Sequence, residues 1–475
     1  MTAPIQSETI VIENCAIATM DGKRHDDSGT EYRSGYIAVS GDRIIAVGEG
    51  SWPGPATGIG NPRRIEGTGC LATPGLVNTH HHLYQWLTQG MAQQSVLFDW
   101  LTALYPVWAR IDAEQARAAA AAGLAWLALS GCTTSTDHHY IFPRRDHGDL
   151  FEAEIAAAAD VGLRFHPCRG SMDLGRSSGG LPPDDVVEDA DAALAATADA
   201  VRRFHDPAPG AMLRVAVAPC SPFSVSPRLM REMADLARRL GVRMHTHLAE
   251  TREEDAYCQQ THGRTPVEYA GELGWLGRDV WLAHCVHLDE PAVKRLAATG
   301  TSVAHCPTSN ARLGAGIAPV RRLLTAGVAV GLGVDGPASS EGTSVAGELR
   351  QALLAARLRD SRGPSALTAR QALWLGTRGG ARCLGRDDEI GALRPGMLAD
   401  IALWRVDTLV HDAVAHGPDR AGDPVAALVL GPLAPLELLL VGGTPVVESG
   451  VLRTADVTAA VRDVRAARIK LGACR

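Results

Sequence analysis

Short apolar runs rich in β-branched residues alternate along most of this chain with longer stretches rich in Ala, Leu and Arg. The runs lie near residues 71–79, 133–137, 164–170, 213–219, 243–249, 280–286, 301–306 and 328–335. Their near-continuous hydrophobicity predicts strands buried on both faces. The intervening stretches, such as 113–131, 185–204 and 227–241, repeat apolar positions at helical spacing and predict helices. Eight strands, each followed by a helix, predict an α/β fold, a (β/α)8 TIM barrel. A doubly wound open sheet fits less well, because no glycine-rich phosphate loop follows the first strand. "GVDGPASSEG" contains glycines but does not match that fingerprint. Toward both ends the pattern changes. Residues 8–20 and 35–49 alternate apolar and polar and read as hairpins, with "GDR" as a turn; 399–407 and 436–450 have the same character. Both ends are therefore expected to form one small β-sandwich domain. The expected boundaries are 1–70 and 389–453 for that domain, 71–388 for the barrel and 454–475 for a terminal helix.

Composition narrows the class. The chain has 475 residues, 46% hydrophobic and 21% charged, as in an ordinary globular enzyme. A formal net charge of -7 offers no basic patch for nucleic acid and no polybasic segment for a membrane surface. No apolar run is long enough to span a bilayer. The N-terminus lacks the charged and apolar regions of a signal peptide. The ten cysteines show no paired spacing, and several sit in the expected strands, so a reduced, cytoplasmic setting is expected. Only three lysines occur, Lys23, Lys294 and Lys470, and none follows an interior strand. That argues against Schiff-base or pyridoxal chemistry and against a two-metal site bridged by a modified lysine. The loop "GRSSGGLPPDD" (175–185) is a candidate lid.

Metal-capable side chains follow several of the strands: His80 and His82 in "PGLVNTHHHL", His247 and Glu250 in "MHTHLAE", His284 in "WLAHCVHL" and Asp335 in "GLGVDGP". Residues two apart on a strand point the same way, so His80 and His82 project together and His81 does not. Imidazole and carboxylate suit Zn²⁺, with Fe²⁺ the alternative, and a catalytic site keeps one position for water. His247 and Asp335 are the further ligands expected. His245 shares a face with His247, and spacing alone does not choose between them; only the nearby Glu250 favours His247. Glu250 suits a proton shuttle, and Asp335 suits both metal binding and proton acceptance. His284 is placed to polarise a substrate atom. Taken singly, His166, His205, His262 and His411 read as ordinary core or surface residues. His138, His139, His287 and His305 read as supports of the ligands, and Asp137 as a helix cap or a ligand-orienting group. The HExxH signature and the second cysteine of the small zinc deaminases are missing from the sequence.

These motifs resemble the amidohydrolase superfamily, in its chlorohydrolase and nucleobase-deaminase branch, over nearly the whole chain. The resemblance implies one divalent metal, normally zinc, held by His80, His82, His247 and Asp335. It implies proton movement by Glu250 and Asp335, and substrate contact by His284. The implied reaction is attack of activated water on a ring carbon bearing an exocyclic amine. "NTHHHLYQ", "SGCTTSTDHHYIFP", "FHPCRGSMDLG" and "MHTHLAET" are similar to the 8-oxoguanine deaminases of that branch; pterin deaminases and triazine hydrolases share parts of them. Phe98 stands where branch members acting on ribose-bearing substrates carry an acidic residue. "LTQG" (87–90) and "DGPASSEG" depart from the deaminase pattern beside the expected pocket. The expected partner is a small heterocyclic substrate, with Gln85, Trp100 and Arg169 as expected contacts. For Trp100 a core role, and for Arg169 a structural ion pair, weigh about equally. A homo-oligomer is implied by the resemblance alone. The rival to an enzyme is a barrel scaffold without catalysis, which the full ligand set argues against.

Overall fold

A computed structural model describes residues 9–54, 61–145, 148–360, 363–417 and 422–472. Part of the N-terminal segment read for a signal peptide, and the last three residues of the expected terminal helix, lie outside them. Nine strands form one sheet from both chain ends: β1 (Thr9–Ala18), β2 (Glu31–Ser40), β3 (Arg43–Glu49), β4 (Arg63–Glu66) and β5 (Cys70–Pro74), then, after the barrel, β14 (Ile401–Arg405), β15 (Leu436–Val441), β16 (Thr444–Glu448) and β17 (Val451–Leu452). The segment 8–20 is thus not a hairpin. It carries the single strand β1, whose register slips around Asn14 (φ 61°).

The barrel strands are β6 (Leu76–Asn78), β7 (Cys132–His139), β8 (Arg164–Ser171), β9 (Ala216–Pro219), β10 (Met244–Leu248), β11 (Val280–His284), β12 (Ser302–His305) and β13 (Val330–Leu332). They pair in parallel, and β13 closes on β6. This is the expected (β/α)8 barrel with a small β-sandwich domain. Every barrel-strand residue is buried, as a sheet covered by helices outside and packed within requires. One expected strand differs. The run 71–79 is two strands, with β5 in the small sheet beside β14 and β6 in the barrel, and the chain crosses over at Gly75.

Helix starts follow their caps. Asp112 and Gln115 form a reciprocal capping box at Ala113–Leu129. Asp189 caps Ala190–Phe204, so the helix expected from residue 185 begins five residues later. The barrel floor is apolar: Val77, Cys168, Ala216, Ala218, Trp281 and Ala304 pack with Cys383, Leu384 and Ile390. His166 and Arg243 also reach this layer, against Trp281, while the histidine-rich cluster lies at the carboxyl ends of the strands. The two domains are joined by a buried bidentate pair, Arg164 to Asp400 at 3.2 and 3.0 Å. Gly131 (φ 84°) sits against the Trp404 indole, where a Cβ would come within 2.1 Å of the ring. Among the described residues no helix is long and apolar enough to cross a membrane, and the nine described cysteines are all free and buried.

Candidate metal centre and substrate cavity

β6 delivers His80 and His82 into the barrel mouth, β10 delivers His247, and the turn after β13 delivers Asp335. His82 Nε2 lies 3.1 Å from His247 Nε2 and 3.4 Å from Asp335 Oδ1. His80 Nε2 lies 3.6 Å from the same oxygen. The backbone ties these elements together, since Asp335 N–H donates to His80 O at 3.1 Å.

The hydrogen bonds behind the rings decide what the cluster can hold. His82 Nδ1 lies 2.7 Å from His138 O, and His247 Nδ1 lies 2.7 Å from Cys220 O. A carbonyl only accepts, so both Nδ1 atoms carry the proton. Burial holds the His82 pKa down to about 4 and that of His247 well below its usual value, so both rings are neutral. Their Nε2 lone pairs then face each other at 3.1 Å. Two acceptors at that distance repel unless a cation lies between them. His80 Nε2, also buried, has no hydrogen-bond partner. Three imidazole lone pairs converging beside a carboxylate match the donor set of a Zn²⁺ site with a place left for water.

The proton-handling groups stand beside this cluster. Glu250 is 4% exposed. Burial, with help from Asp335 and Glu254 and against His284, raises its pKa to about 7. Its carboxylate is 3.8 Å from His284 Nε2, which is equally far from Asp335. His284 Nδ1 lies 2.9 Å from Asn310 Oδ1, so Nδ1 donates and Nε2 is presented to the cavity. Burial lowers the His284 pKa, but Glu250, Asp335 and Asn310 outweigh it and the net shift is upward. Asp335 is held low despite burial by His284, His82 and its hydrogen bonds. Four non-glycine residues here have left-handed backbone: Ala249 (φ 53°), His284 (68°), Cys285 (47°) and Asp335 (58°). Strain gathered in one place marks a site whose geometry the surrounding fold imposes. Glu254 secures one such turn by accepting from Ala249 N–H (2.7 Å) and Glu250 N–H (2.9 Å).

The cavity over the cluster is lined by His82, His247, His284, Asp335 and Glu250 on the polar side. Gln85, Trp100, Leu101, Tyr105, Tyr140, Cys220 and Phe223 are among its other walls. Gln85 lies on the tight turn Leu83–Thr88, directly after His82. Both its amide atoms are buried without a hydrogen-bond partner, and the amide packs on Gly336, where a Cβ would meet Oε1 at 1.8 Å. Trp100 donates from its indole to Ala338 O at 3.1 Å, pinning the helix Leu97–Trp108 to the loop after Asp335.

Arg169 is the correction. It does not line the cavity; its guanidinium binds Glu188 through two hydrogen bonds (2.7 and 2.6 Å) and lies over the Phe142 ring. The structural ion pair wins because a charge buried this deeply needs its counter-ion. The 175–185 loop is also not among the lining residues; Asp184 folds it onto Ser177, and the mouth is covered by Leu97–Trp108 instead. Asp137 accepts at 2.6 Å from the N–H of Leu83, the first residue of the short helix Leu83–Thr88 just behind His82, and so caps that turn from another strand. His138 stacks on His247 at 4.8 Å, and His139 bonds Glu154 at 2.8 Å. Asn310 and Glu254 were not foreseen from the sequence. Glu254 lies four residues after Glu250 in "LAETREE", a spacing that offers the only local signal for its role.

This architecture is that of a metal-dependent hydrolase. The amidohydrolase family model matches residues 71–433, and the chain belongs to that family, as a hydrolytic enzyme. An 8-oxoguanine deaminase of Pseudomonas aeruginosa is 41% identical over 93% of this chain and 95% of that protein. An isoxanthopterin deaminase from an unknown prokaryotic organism is 38% identical over 90% of this chain and 92% of that protein. Among solved structures, atrazine chlorohydrolase TrzN from Arthrobacter aurescens TC1, complexed with zinc, superposes with a TM-score of 0.88. It is 33% identical and covers 97% of this chain and 100% of that chain.

Proposed function

We propose that this chain hydrolyses the exocyclic amine of an oxidised purine, converting 8-oxoguanine and water to urate and ammonia. Zinc is the proposed metal, with His80, His82, His247 and Asp335 as its ligands. Bound there, it would supply Lewis acidity to a water molecule. Asp335, itself one of these ligands, is the group that would accept a proton from the attacking water. The water oxygen bonds the ring carbon that carries the amine while Glu250 delivers a proton to the adjacent ring nitrogen. Asp335 then passes its proton to the amine, the carbon–nitrogen bond breaks to release ammonia, and the hydroxyl proton returns to Glu250 as the carbonyl forms. Glu250 suits this because its pKa near 7 lets it both hold and give up a proton at neutral pH. His284, its Nδ1 fixed by Asn310, steadies the incoming oxygen.

The observation that carries the substrate reading is the unpartnered amide of Gln85. One donor and one acceptor, held side by side in the cavity lining, match the adjacent C=O and N–H of an oxopurine edge. Phe98 packs at a tilt of 52° against the lining residue Phe223, 4.9 Å between centroids, which favours a free base over a ribose-bearing substrate. The 41% identity to a P. aeruginosa 8-oxoguanine deaminase supports the same choice. The test is conversion of 8-oxoguanine by the zinc-loaded protein beside its His247→Ala and Asp335→Ala variants. Both variants should lose zinc or activity; full activity in both would overturn the assignment.

A further inference from the structure

The three imidazoles of the candidate centre do not acquire their proton arrangement in the same way. His82 and His247 each donate Nδ1–H to a backbone carbonyl. His80 Nδ1 instead lies 2.8 Å from His245 Nε2, and His245 Nδ1 lies 2.8 Å from Trp281 O. The Trp281 carbonyl only accepts, so His245 carries its hydrogen on Nδ1. Its Nε2 is then the acceptor for His80 Nδ1–H, which leaves the lone pair of His80 on Nε2, facing Asp335. His245 is fully buried and stacked on the Trp281 indole (4.5 Å, 17°). That indole in turn donates to Thr79 O at 3.0 Å, one residue before His80. Strand β11 thus holds both the backbone before His80 and, through His245, its ring.

We propose that His245 is a positioning residue for the metal centre. It accepts the Nδ1 hydrogen of His80 and thereby keeps Nε2 free for the cation. His80, His138 and His245 also lie close enough together to hold an ion themselves. Both nitrogens of His245 are already committed, however, so of that trio His245 has no lone pair left for an ion, although His138 keeps a buried, unpartnered Nδ1. A hydrogen-bond relay accounts for these contacts without a second ion. Orienting partners of this kind typically change metal affinity by about 10- to 100-fold.

The inference rests on the reading of His80 as a ligand, and the experiment separates the two. Zinc affinity is measured by competition with a chelator for the full-length protein and for His80→Ala, His245→Phe and His245→Gln. His245→Phe keeps an aromatic ring against Trp281 but offers no acceptor, and should weaken zinc about 10- to 100-fold. His245→Gln offers an amide oxygen and should restore most of the loss. Parent-like affinity in His245→Phe, with zinc lost in His80→Ala, overturns the relay and leaves the ligand reading standing. Equal losses in the Phe and Gln variants also overturn it, since the acceptor would then not matter. Parent-like affinity in His80→Ala overturns the ligand reading itself. Should His245→Phe fail to fold, neutron diffraction from the zinc-free parent decides: hydrogen on His80 Nδ1 is expected, and hydrogen on Nε2 refutes the relay.

Discussion

Replacing Gln85 with Leu should move stability and activity in opposite directions. The amide has two buried polar atoms without partners, and each unmade hydrogen bond of this kind costs about 1–3 kcal/mol. The pair therefore destabilises the substrate-free protein by about 2–6 kcal/mol. The lower end of this range is carried forward. Leu has nearly the same size and no polar atom, and removes the penalty. Unfolding entropy of about 2.1 cal/mol/K per residue gives about 1 kcal/mol/K for a chain of this length. The Tm of the zinc-loaded, substrate-free variant should accordingly rise by about 2 °C. In the complex the sign reverses, because the substrate's matching donor and acceptor are now buried unpaired. The same 1–3 kcal/mol per atom, at 1.36 kcal/mol per decade, lowers kcat/KM about 30-fold to 10⁴-fold. Differential scanning calorimetry and steady-state ammonia release read the two effects. A variant that is less stable than the parent and keeps its kcat/KM would refute the assignment of Gln85 to the substrate.

Three further outcomes are expected. Glu250→Gln should retain zinc while losing about 10²- to 10⁴-fold in kcat, as removal of a proton shuttle does; unchanged turnover would exclude that role. Burial raises the Glu348 pKa to about 8, so its contribution is full below the unfolded value near 4.5 and is lost as pH rises through 8, with a ceiling of about 5 kcal/mol. Glu348→Gln should therefore gain on the parent in urea titrations run toward pH 8, and parallel pH profiles would contradict the assigned shift. Arg164→Met leaves Asp400 buried without its counter-ion and should cost about 3–5 kcal/mol, seen as a lower Tm; an unchanged midpoint would mean that the inter-domain pair contributes nothing.

The parts of this site that were legible in the sequence are those fixed by position along a single strand. His80, His82, His247 and Asp335 each sit at the end of an apolar run, and in a parallel barrel every such end opens on the same face. What decides the rest is register between strands and helices distant in sequence. Arg169 finds Glu188 on the segment that leads to the next helix, and nothing in "HPCRG" announces that partner. Asn310 reaches His284 from the helix Pro307–Arg312 on the far side of β12. The division of 71–79 at Gly75 rests on pairing with β14, more than three hundred residues away, and its one local signal is the Pro74–Gly75 pair. The glycine- and proline-rich 175–185 segment reads in the sequence as a loop and a candidate lid over the barrel mouth. Instead the Trp100 indole anchors the helix Leu97–Trp108 there through Ala338, a contact between residues 238 apart. His245 and His247 are equivalent by periodicity and separated in the sequence only by the nearby Glu250; in the structure Trp281 O and His80 Nδ1 occupy both nitrogens of His245.

The most direct test is ammonia release by the zinc-loaded protein on a panel of 8-oxoguanine, guanine, isoxanthopterin, cytosine and a hydroxylated aminotriazine. The expected result is strong preference for 8-oxoguanine, with urate and ammonia formed one to one. Zinc bound but no ammonia from any member of the panel would contradict the proposed reaction.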